Sequence, residues 1–298
     1  MTGHQTLNAM SYTLNIRGCP YIISEPKVMG VLNLTPDSFY SLSRTHGTDA
    51  AVKRVQEMID AGMDILDVGG VSSRPGADFP DEAEERARIE EPLKAIVKEF
   101  PDLIISVDTF RSGIARLCAD LGVHIINDIS GGTYDPDMFP TMGRLQLPYV
   151  LMHLDGTPAT MQDNPQYEDV VTDLLAYFSE RMQQARMAGI HDIIVDPGFG
   201  FAKTTAQNYR LLAHLDDFRM LQAPVLAGMS RKSMLYKLLD CTPDDALNAT
   251  TAANMLALMK GVAILRVHDV KEAVESVKIF KQFKYFGENN PDEARLQA

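Results

Sequence analysis

Cysteine is scarce in this chain and scattered where it occurs. Cys19, Cys118 and Cys241 are odd in number and form no Cys-x-x-Cys pair, which argues against a disulfide framework or a zinc site and fits a reduced, cytosolic setting. Positive charge is also short. At a formal net charge of -12, the chain lacks the basic face of a nucleic-acid binder, although a few local arginines can still attract an anionic small molecule. No apolar run approaches the ~20 residues of a membrane span. The opening Met1 to Met10 is polar and has no apolar signal core. No linker, low-complexity stretch or second domain is visible. The expectation is a cytoplasmic protein that has neither nucleic acid nor membrane as a partner. Its 298 residues, 45% of them hydrophobic, are enough for one large core.

What is present is an alternation. Ser11 to Ile16 and Pro20 to Ile23 flank Arg17-Gly18 and read as a short hairpin. Eight short apolar runs follow, at Val28–Asn33, Asp64–Gly69, Leu103–Asp108, Val123–Asn127, Pro148–His153, Asp192–Asp196, Pro224–Gly228 and Val262–His268. Helical patterns separate them. The last helix runs from Val270 to about Phe286, and a polar tail follows. Runs apolar on both faces suit parallel strands covered by helices. Eight such units fit a (β/α)8 TIM barrel of ~250 residues. A doubly wound sheet competes, but no Gly-x-Gly-x-x-Gly follows the first strand. The division expected is 1–27 for an N-terminal segment with the β-hairpin, 28–286 for a single barrel domain, and 287–298 for the tail.

In such a barrel every strand ends at one mouth, and chemistry sits there. The apolar run Ile193–Val195 stops abruptly at Asp196, and Pro197, Gly198 and Gly200 then predict a tight, exposed turn. The other strand ends deliver Asn33, Ser72-Ser73-Arg74, Asp108, Asn127-Asp128, Met152-His153, Ser230-Arg231-Lys232 and Arg266-Val267-His268. A lone strand-end aspartate often caps the next helix, as Asp108 could, but eight polar ends in order are hard to explain structurally. Asp108, Asn127, Asp196 and Lys232 can form a deep polar pocket for a flat heterocycle with an amidine-like edge. Arg74, Arg266 and His268 suit the oxygens of a diphosphate. Asn33 offers an oxygen for a bridging Mg2+.

The same residues carry a resemblance. Met29-Gly-Val-Leu-Asn-Leu-Thr-Pro-Asp-Ser-Phe39 and Asp67-Val-Gly-Gly-Val-Ser-Ser-Arg-Pro-Gly-Ala77 resemble the two signatures of dihydropteroate synthases. The match continues in order through Ser106–Thr109, Ile126–Ile129, Met152-His153, Gly156–Pro158, Met161-Gln162, Asp196–Phe201, Ser230–Ser233 and Arg266–Asp269. It covers roughly Val28 to Phe280. The resemblance implies a pterin-binding barrel that joins hydroxymethyl-dihydropterin diphosphate to 4-aminobenzoate, releasing dihydropteroate and diphosphate. It implies that Asp108, Asn127, Asp196 and Lys232 hold the pterin, with Met152, Phe201 and Gly228 lining its slot. Arg74, Arg266, His268 and Asn33 would hold diphosphate and Mg2+, and Ser73, Pro75, Phe201 and Ser230 would shape the aminobenzoate site. The catalytic group is then Arg74, Lys232, Arg266 and His268.

Two loops depart from the family pattern. Tyr40-Ser-Leu-Ser43 stands where Ser-Asp-Gly-Gly is usual, and Val71 stands where a Glu is common. Among the remaining residues, His124 reads as structural and His153 as a packed, hydrogen-bonded histidine. Nothing near Lys203 or Lys232 suggests a carbonyl substrate for a Schiff base. The charge run from Asp81 to Glu91 reads as a solvated helix face. Asn248 to Lys260 is apolar beyond one stripe, and a homodimer contact is expected there. The rival readings are a methyltetrahydrofolate–corrinoid methyltransferase, which needs no diphosphate clamp, and a pterin-binding paralogue without turnover.

Overall fold

The computed structural model describes residues 11–34, 44–71, 79–156 and 167–288. Its first element is the hairpin of β1 (Tyr12–Ile16) and β2 (Cys19–Ile23), paired antiparallel. Arg17 and Gly18 both have positive φ, at 51° and 79°, as a tight two-residue hairpin turn with the strands' own twist requires.

Eight strands follow: β3 (Lys27–Asn33), β4 (Ile65–Gly69), β5 (Ile104–Asp108), β6 (Ile125–Asp128), β7 (Tyr149–Met152), β8 (Ile193–Asp196), β9 (Leu226–Ala227) and β10 (Ile264–Val267). Each pairs parallel with its neighbours in the order β8-β7-β6-β5-β4-β3-β10-β9. A parallel bridge between Val195 and Val225 joins the two ends and closes the sheet. The covering helices are α1 (Arg44–Asp60), α2 (Glu82–Glu99), α3 (Ser112–Leu121), α4 (Met138–Leu145), α5 (Val170–Met187), α6 (Thr205–Ala213), α7 (Ser233–Tyr236), α8 (Leu247–Met259) and α9 (Val270–Glu288). A 3-10 turn, Leu215–Leu221, follows α6. The chain is thus a (β/α)8 barrel with an N-terminal hairpin.

Alternation along each strand sorts side chains into two cores. Val28, Leu66, Val107, Ile126, Leu151, Val195 and Leu265 face outward into the helices. Met29, Ile65, Ile125, Val150, Ile194, Leu226 and Ile264 face the barrel axis at its N-terminal end, together with Leu14 and Ile23 of the hairpin. The hairpin therefore plugs the bottom of the barrel. Leu14 and Ile23 are each only 2% exposed, and burying such a side chain contributes roughly 1.5–3 kcal/mol. His124 supports this end: its Nδ1 accepts from the Ile105 N–H at 3.0 Å.

Three expectations need correction. The turn after Asp196 is not exposed. Gly198 is buried at φ +70°, where a Cβ would lie 2.3 Å from the His153 carbonyl oxygen. The charge run of α2 is not wholly solvated: Glu85 is fully buried and paired with Arg111 from the β5–α3 loop. The polar tail does not start at Gly287, because α9 runs through Glu288. Residues 1–10 and 289–298 lie outside the described residues.

Candidate active site

The alternation that turns Ile65, Ile125 and Ile194 toward the axis also turns Asp67, Asn127 and Asp196 there, two residues nearer the C-terminal mouth. Asp108 on β5 and Arg266 on β10 share that layer. Arg266 donates from Nε to Asp67 Oδ2 at 2.7 Å and from Nη2 to Asp108 Oδ2 at 2.9 Å. Asn127 Nδ2 donates to the same Asp67 oxygen at 3.1 Å. Asp108 is therefore not a helix cap; α3 begins after Arg111, with no side-chain cap.

The electrostatics follow from one cation shared by two acids. Burial works against the Arg266 cation, but Asp67 and Asp108 outweigh it and keep the guanidinium firmly charged. Burial pushes the Asp108 carboxyl up to about 7. Arg266 opposes that, while the charges of Asp67, Glu85 and Asp128 add to it. Burial also raises Asp196, against Lys232 and the Gly198 N–H. The latter donates to Asp196 Oδ1 at 2.8 Å.

Lys232 reaches this layer from the loop after β9. Its ammonium donates to the Phe199 carbonyl and lies 4.4 Å from the centre of the Phe201 ring. Burial lowers it to about 8, with Asp196 opposing. Gly200, at φ +79°, lets the loop pass the Lys232 stem, where a Cβ would come within 2.9 Å of Cδ. Below this loop Lys203 is buried and bonded to His153 Nδ1, Gly198 O and Phe201 O. His153 is thus packed and hydrogen-bonded.

His268 stands exposed at the mouth. Its backbone N–H donates to Ser230 Oγ at 3.3 Å, and its Nδ1 lies 3.2 Å from the same oxygen. With the serine proton turned to Nδ1, a neutral ring would carry its own proton on Nε2 as a donor. Partial loss of water around the ring, and then the Arg266 cation, lower the imidazole from its ordinary value. Arg231 turns away from the mouth. It grips both Asp269 oxygens, at 2.9 and 2.8 Å, and so ties the loop after β9 to the loop after β10. Asp128 also faces away. It anchors its own loop through Ser130 and Gly132 and accepts from the Tyr149 hydroxyl at 2.6 Å.

An apolar shelf of Val71, Phe110, Ile129, Met152, Leu154 and Ala202, with Phe79, Tyr134 and Phe201 packed on it, flanks the polar layer. Met152 and Phe201 are thus neighbours of the acids. A Cβ on Gly228 would touch Arg266 at 3.8 Å, so Gly228 borders the same space. Asn33 is half-buried at the end of β3, its Oδ1 beside Gly69. Ser73, Arg74 and Pro75, the motif residues 157–158 and 161–162, and Tyr40–Ser43 lie outside the described residues.

The residue missed in the sequence is Asp67. In the sequence it stands only as part of a motif, inside the apolar run of β4. Its place in the alternation, in phase with Ile65 and Gly69, was the available signal.

A family model described as pterin binding enzyme matches residues 29–268. The dihydropteroate synthase of Escherichia coli (strain K12) is 42% identical over 265 residues, covering 88% of this chain and 93% of that one. The Haemophilus influenzae dihydropteroate synthase is 41% identical, covering 87% and 94%. Among solved structures, the Yersinia pestis dihydropteroate synthase with a sulfonamide drug superposes with a TM-score of 0.85 at 39% identity, covering 92% of this chain and 99% of that one. The Xanthomonas albilineans dihydropteroate synthase with 4-aminobenzoic acid gives 0.84 at 36% identity, covering 92% and 99%.

Proposed function

The chain belongs to the dihydropteroate synthase family of pterin-binding enzymes, and from that premise we propose how its own side chains carry the reaction. The activity is a transferase step of folate biosynthesis. The 4-aminobenzoate amine displaces diphosphate from 6-hydroxymethyl-7,8-dihydropterin diphosphate, giving 7,8-dihydropteroate. The observation that carries this reading is the convergence of Asp67, Asp108, Asn127 and Arg266 in one bonded layer at the barrel mouth.

Asp108, Asn127 and Asp196 take the N–H edge of the pterin, and Lys232 donates to its acceptor side. Met152, Phe201 and Gly228 border the ring. Arg266 and His268 face the diphosphate, Arg74 would join them, and they stabilise charge as the methylene C–O bond breaks and its electron pair leaves with the diphosphate. The methylene cation is stabilised by the pterin ring and the acids beneath it. The neutral aniline nitrogen then forms the C–N bond and loses a proton, so neither a covalent nucleophile nor a strong base is required. Ser230, with Ser73, Pro75 and Phe201, shapes the aminobenzoate side.

The residues fit a magnesium ion held mainly by substrate. Among the described residues no three His, Cys, Asp or Glu side chains converge on a metal site, and Asn33 presents one neutral oxygen at the mouth. That suits an ion that keeps its waters and takes its other ligands from phosphate. Bound there, Mg2+ would supply positive charge to the diphosphate.

We also propose a cytoplasmic homodimer. No helix among the described residues is long and apolar enough to cross a membrane. The apolar groove of Ile279, Phe283 and Phe286 on α9, with Leu256 and Met259 of α8 exposed, supports a second copy as partner.

The test is a coupled assay of diphosphate release with both substrates, run beside a binding titration with the pterin diphosphate alone. Product formation supports the synthase. Binding without product returns the chain to a non-catalytic pterin binder. Methyl transfer to a corrinoid without diphosphate chemistry would favour the other barrel enzyme.

A further inference from the structure

Asp67 is fully buried, beneath the Arg266 and Asn127 side chains that it binds. One of its oxygens, Oδ2, accepts from both Arg266 Nε and Asn127 Nδ2. The other, Oδ1, has no partner among the described residues. A carboxylate buried with half its capacity unused is a cost to folding, and β4 has apolar side chains on either side of it. We propose that Asp67 is a positioning residue for the pterin diphosphate: it holds the Arg266 guanidinium and the Asn127 amide in the orientations the substrate meets. This rests on the reading of the site given above.

Two consequences of the geometry support it. Arg266 has a rotatable stem, and only a second anchor at Nε fixes the plane of its fork. Asp108 alone, bonded at Nη2, leaves that plane free to turn. Asn127 has an amide that can flip end for end. With Nδ2 held by a carboxylate that only accepts, its Oδ1 is turned to accept from a ligand. Without Asp67 the pocket can present a donor where the pterin also presents one.

Asp67 also acts through charge. The groups that set the Asp108 carboxyl are Arg266 from β10, Asp67 from β4, Glu85 from α2 and Asp128 from β6, while the charges of Asp196 and Lys232 act on Arg266, and Lys232 also feels Asp108. Neutralising Asp67 leaves Arg266 to serve Asp108 alone, so Asp108 stays ionised to lower pH.

The test uses the full chain with Asp67→Asn and Asp67→Ala. Pterin diphosphate affinity is measured by calorimetry without aminobenzoate from about pH 5.5 to 8.5, and the KM of aminobenzoate is measured separately. Asn can keep the anchor oxygen, so at high pH its affinity stays within about threefold of the parent, and the acid limb of binding moves to lower pH. Ala loses the anchor, and pterin diphosphate affinity falls about tenfold or more. The KM for aminobenzoate changes less than about twofold in both, which a general loss of structure would not give. Unchanged pterin affinity in Asp67→Ala overturns the proposal, as does an equal loss on both substrates. If Asp67→Ala does not fold, the direction of the pH shift in Asp67→Asn decides. If the parent itself binds no pterin diphosphate, the functional reading fails first, and that result is separate.

Discussion

Lys203 Nζ lies 3.2 Å from His153 Nδ1, and both residues are buried beneath the loop that leaves β8. The carbonyls of Gly198, at 3.1 Å, and Phe201, at 3.0 Å, complete the ammonium's set of three acceptors. One lysine thus fastens the end of β7 to the loop that carries Asp196 at one end and Phe201 at the other. The same loop offers the Phe199 carbonyl to Lys232. Lys203 is a staple under the site rather than a Schiff-base lysine.

Replacing Lys203 by Met keeps the stem and removes every donor. His153 Nδ1 and the Phe201 carbonyl lose the ammonium, while the Gly198 carbonyl keeps the Phe201 N–H, and a cost of about 1–3 kcal/mol is expected. The pH dependence also changes in a defined direction. Burial lowers Lys203 to about 7 from its ordinary 10.5, with Asp196 opposing. Between those two values the unfolded chain binds a proton that the folded chain does not, so this group makes stability rise with pH across that window. Lys203→Met removes that contribution. Urea unfolding at about pH 6.5 and 9.5 checks it, and equal slopes in variant and parent would count against the assignment.

Gly200→Ala and Gly228→Ala separate two kinds of glycine. At Gly200, φ is +79° and a Cβ would stand 2.9 Å from Lys232 Cδ, so both backbone and lysine must move. The variant is expected to lose about 1 kcal/mol or more of stability and to weaken pterin binding through the displaced ammonium. At Gly228 a Cβ meets Arg266 only at 3.8 Å, an ordinary contact. That variant folds normally and loses only the room that the proposed pterin occupies. Thermal melts beside pterin titrations distinguish the two, and a Gly228→Ala protein with parental affinity would remove Gly228 from the slot.

How much of this was readable in the amino-acid string depends on facing. Eight apolar runs gave the barrel, and Asp196 stood out because a buried strand stops there. Polarity at a strand end does not say which way a side chain turns. Asn127 and Asp128 are adjacent, yet the first faces the barrel axis and the second faces its own loop, because alternate residues point to opposite faces. Arg231 and Lys232 also part company, but in a turn, where Arg231 has a φ of 55°. Asp67 and Glu85 were hidden for opposite reasons: one sits inside an apolar run, the other inside a charged one. In each case the partner, Arg266 or Arg111, lies on a different element.

On the outer surface, Phe283 and Phe286 of α9 are 60% and 53% exposed beside Ile279. Their replacement by Asp leaves the barrel core untouched, since neither belongs to it. If this face joins two copies, Phe283→Asp with Phe286→Asp places charge in a desolvated contact, and the mass by light scattering falls to that of one chain at about 10 µM. A parent that is already monomeric at that concentration removes the homodimer.

Glu85 and Arg111 supply the sharpest stability test. Glu85 on α2 is fully buried and paired with Arg111, which also holds the Pro80 carbonyl and stacks on Phe110 at 4.6 Å. Burial raises the Glu85 carboxyl, against Thr109 and Arg111. Arg111→Ala therefore strands a carboxylate in the core, and breaking such a pair costs about 3–5 kcal/mol. The sign with pH follows. A folded carboxyl raised above its unfolded value binds more protons in the native state, so stability falls as pH rises through that window. Losing the arginine raises the carboxyl further, so the penalty is larger at about pH 8 than near pH 5, where more of the folded carboxyl is protonated. Adding Glu85→Gln to Arg111→Ala removes the charge and recovers much of the loss at high pH. Denaturation of the single and double variants at both pH values settles it: a penalty that does not change with pH, or no recovery in the double variant, means the damage comes from lost packing on Phe110 and not from a stranded charge.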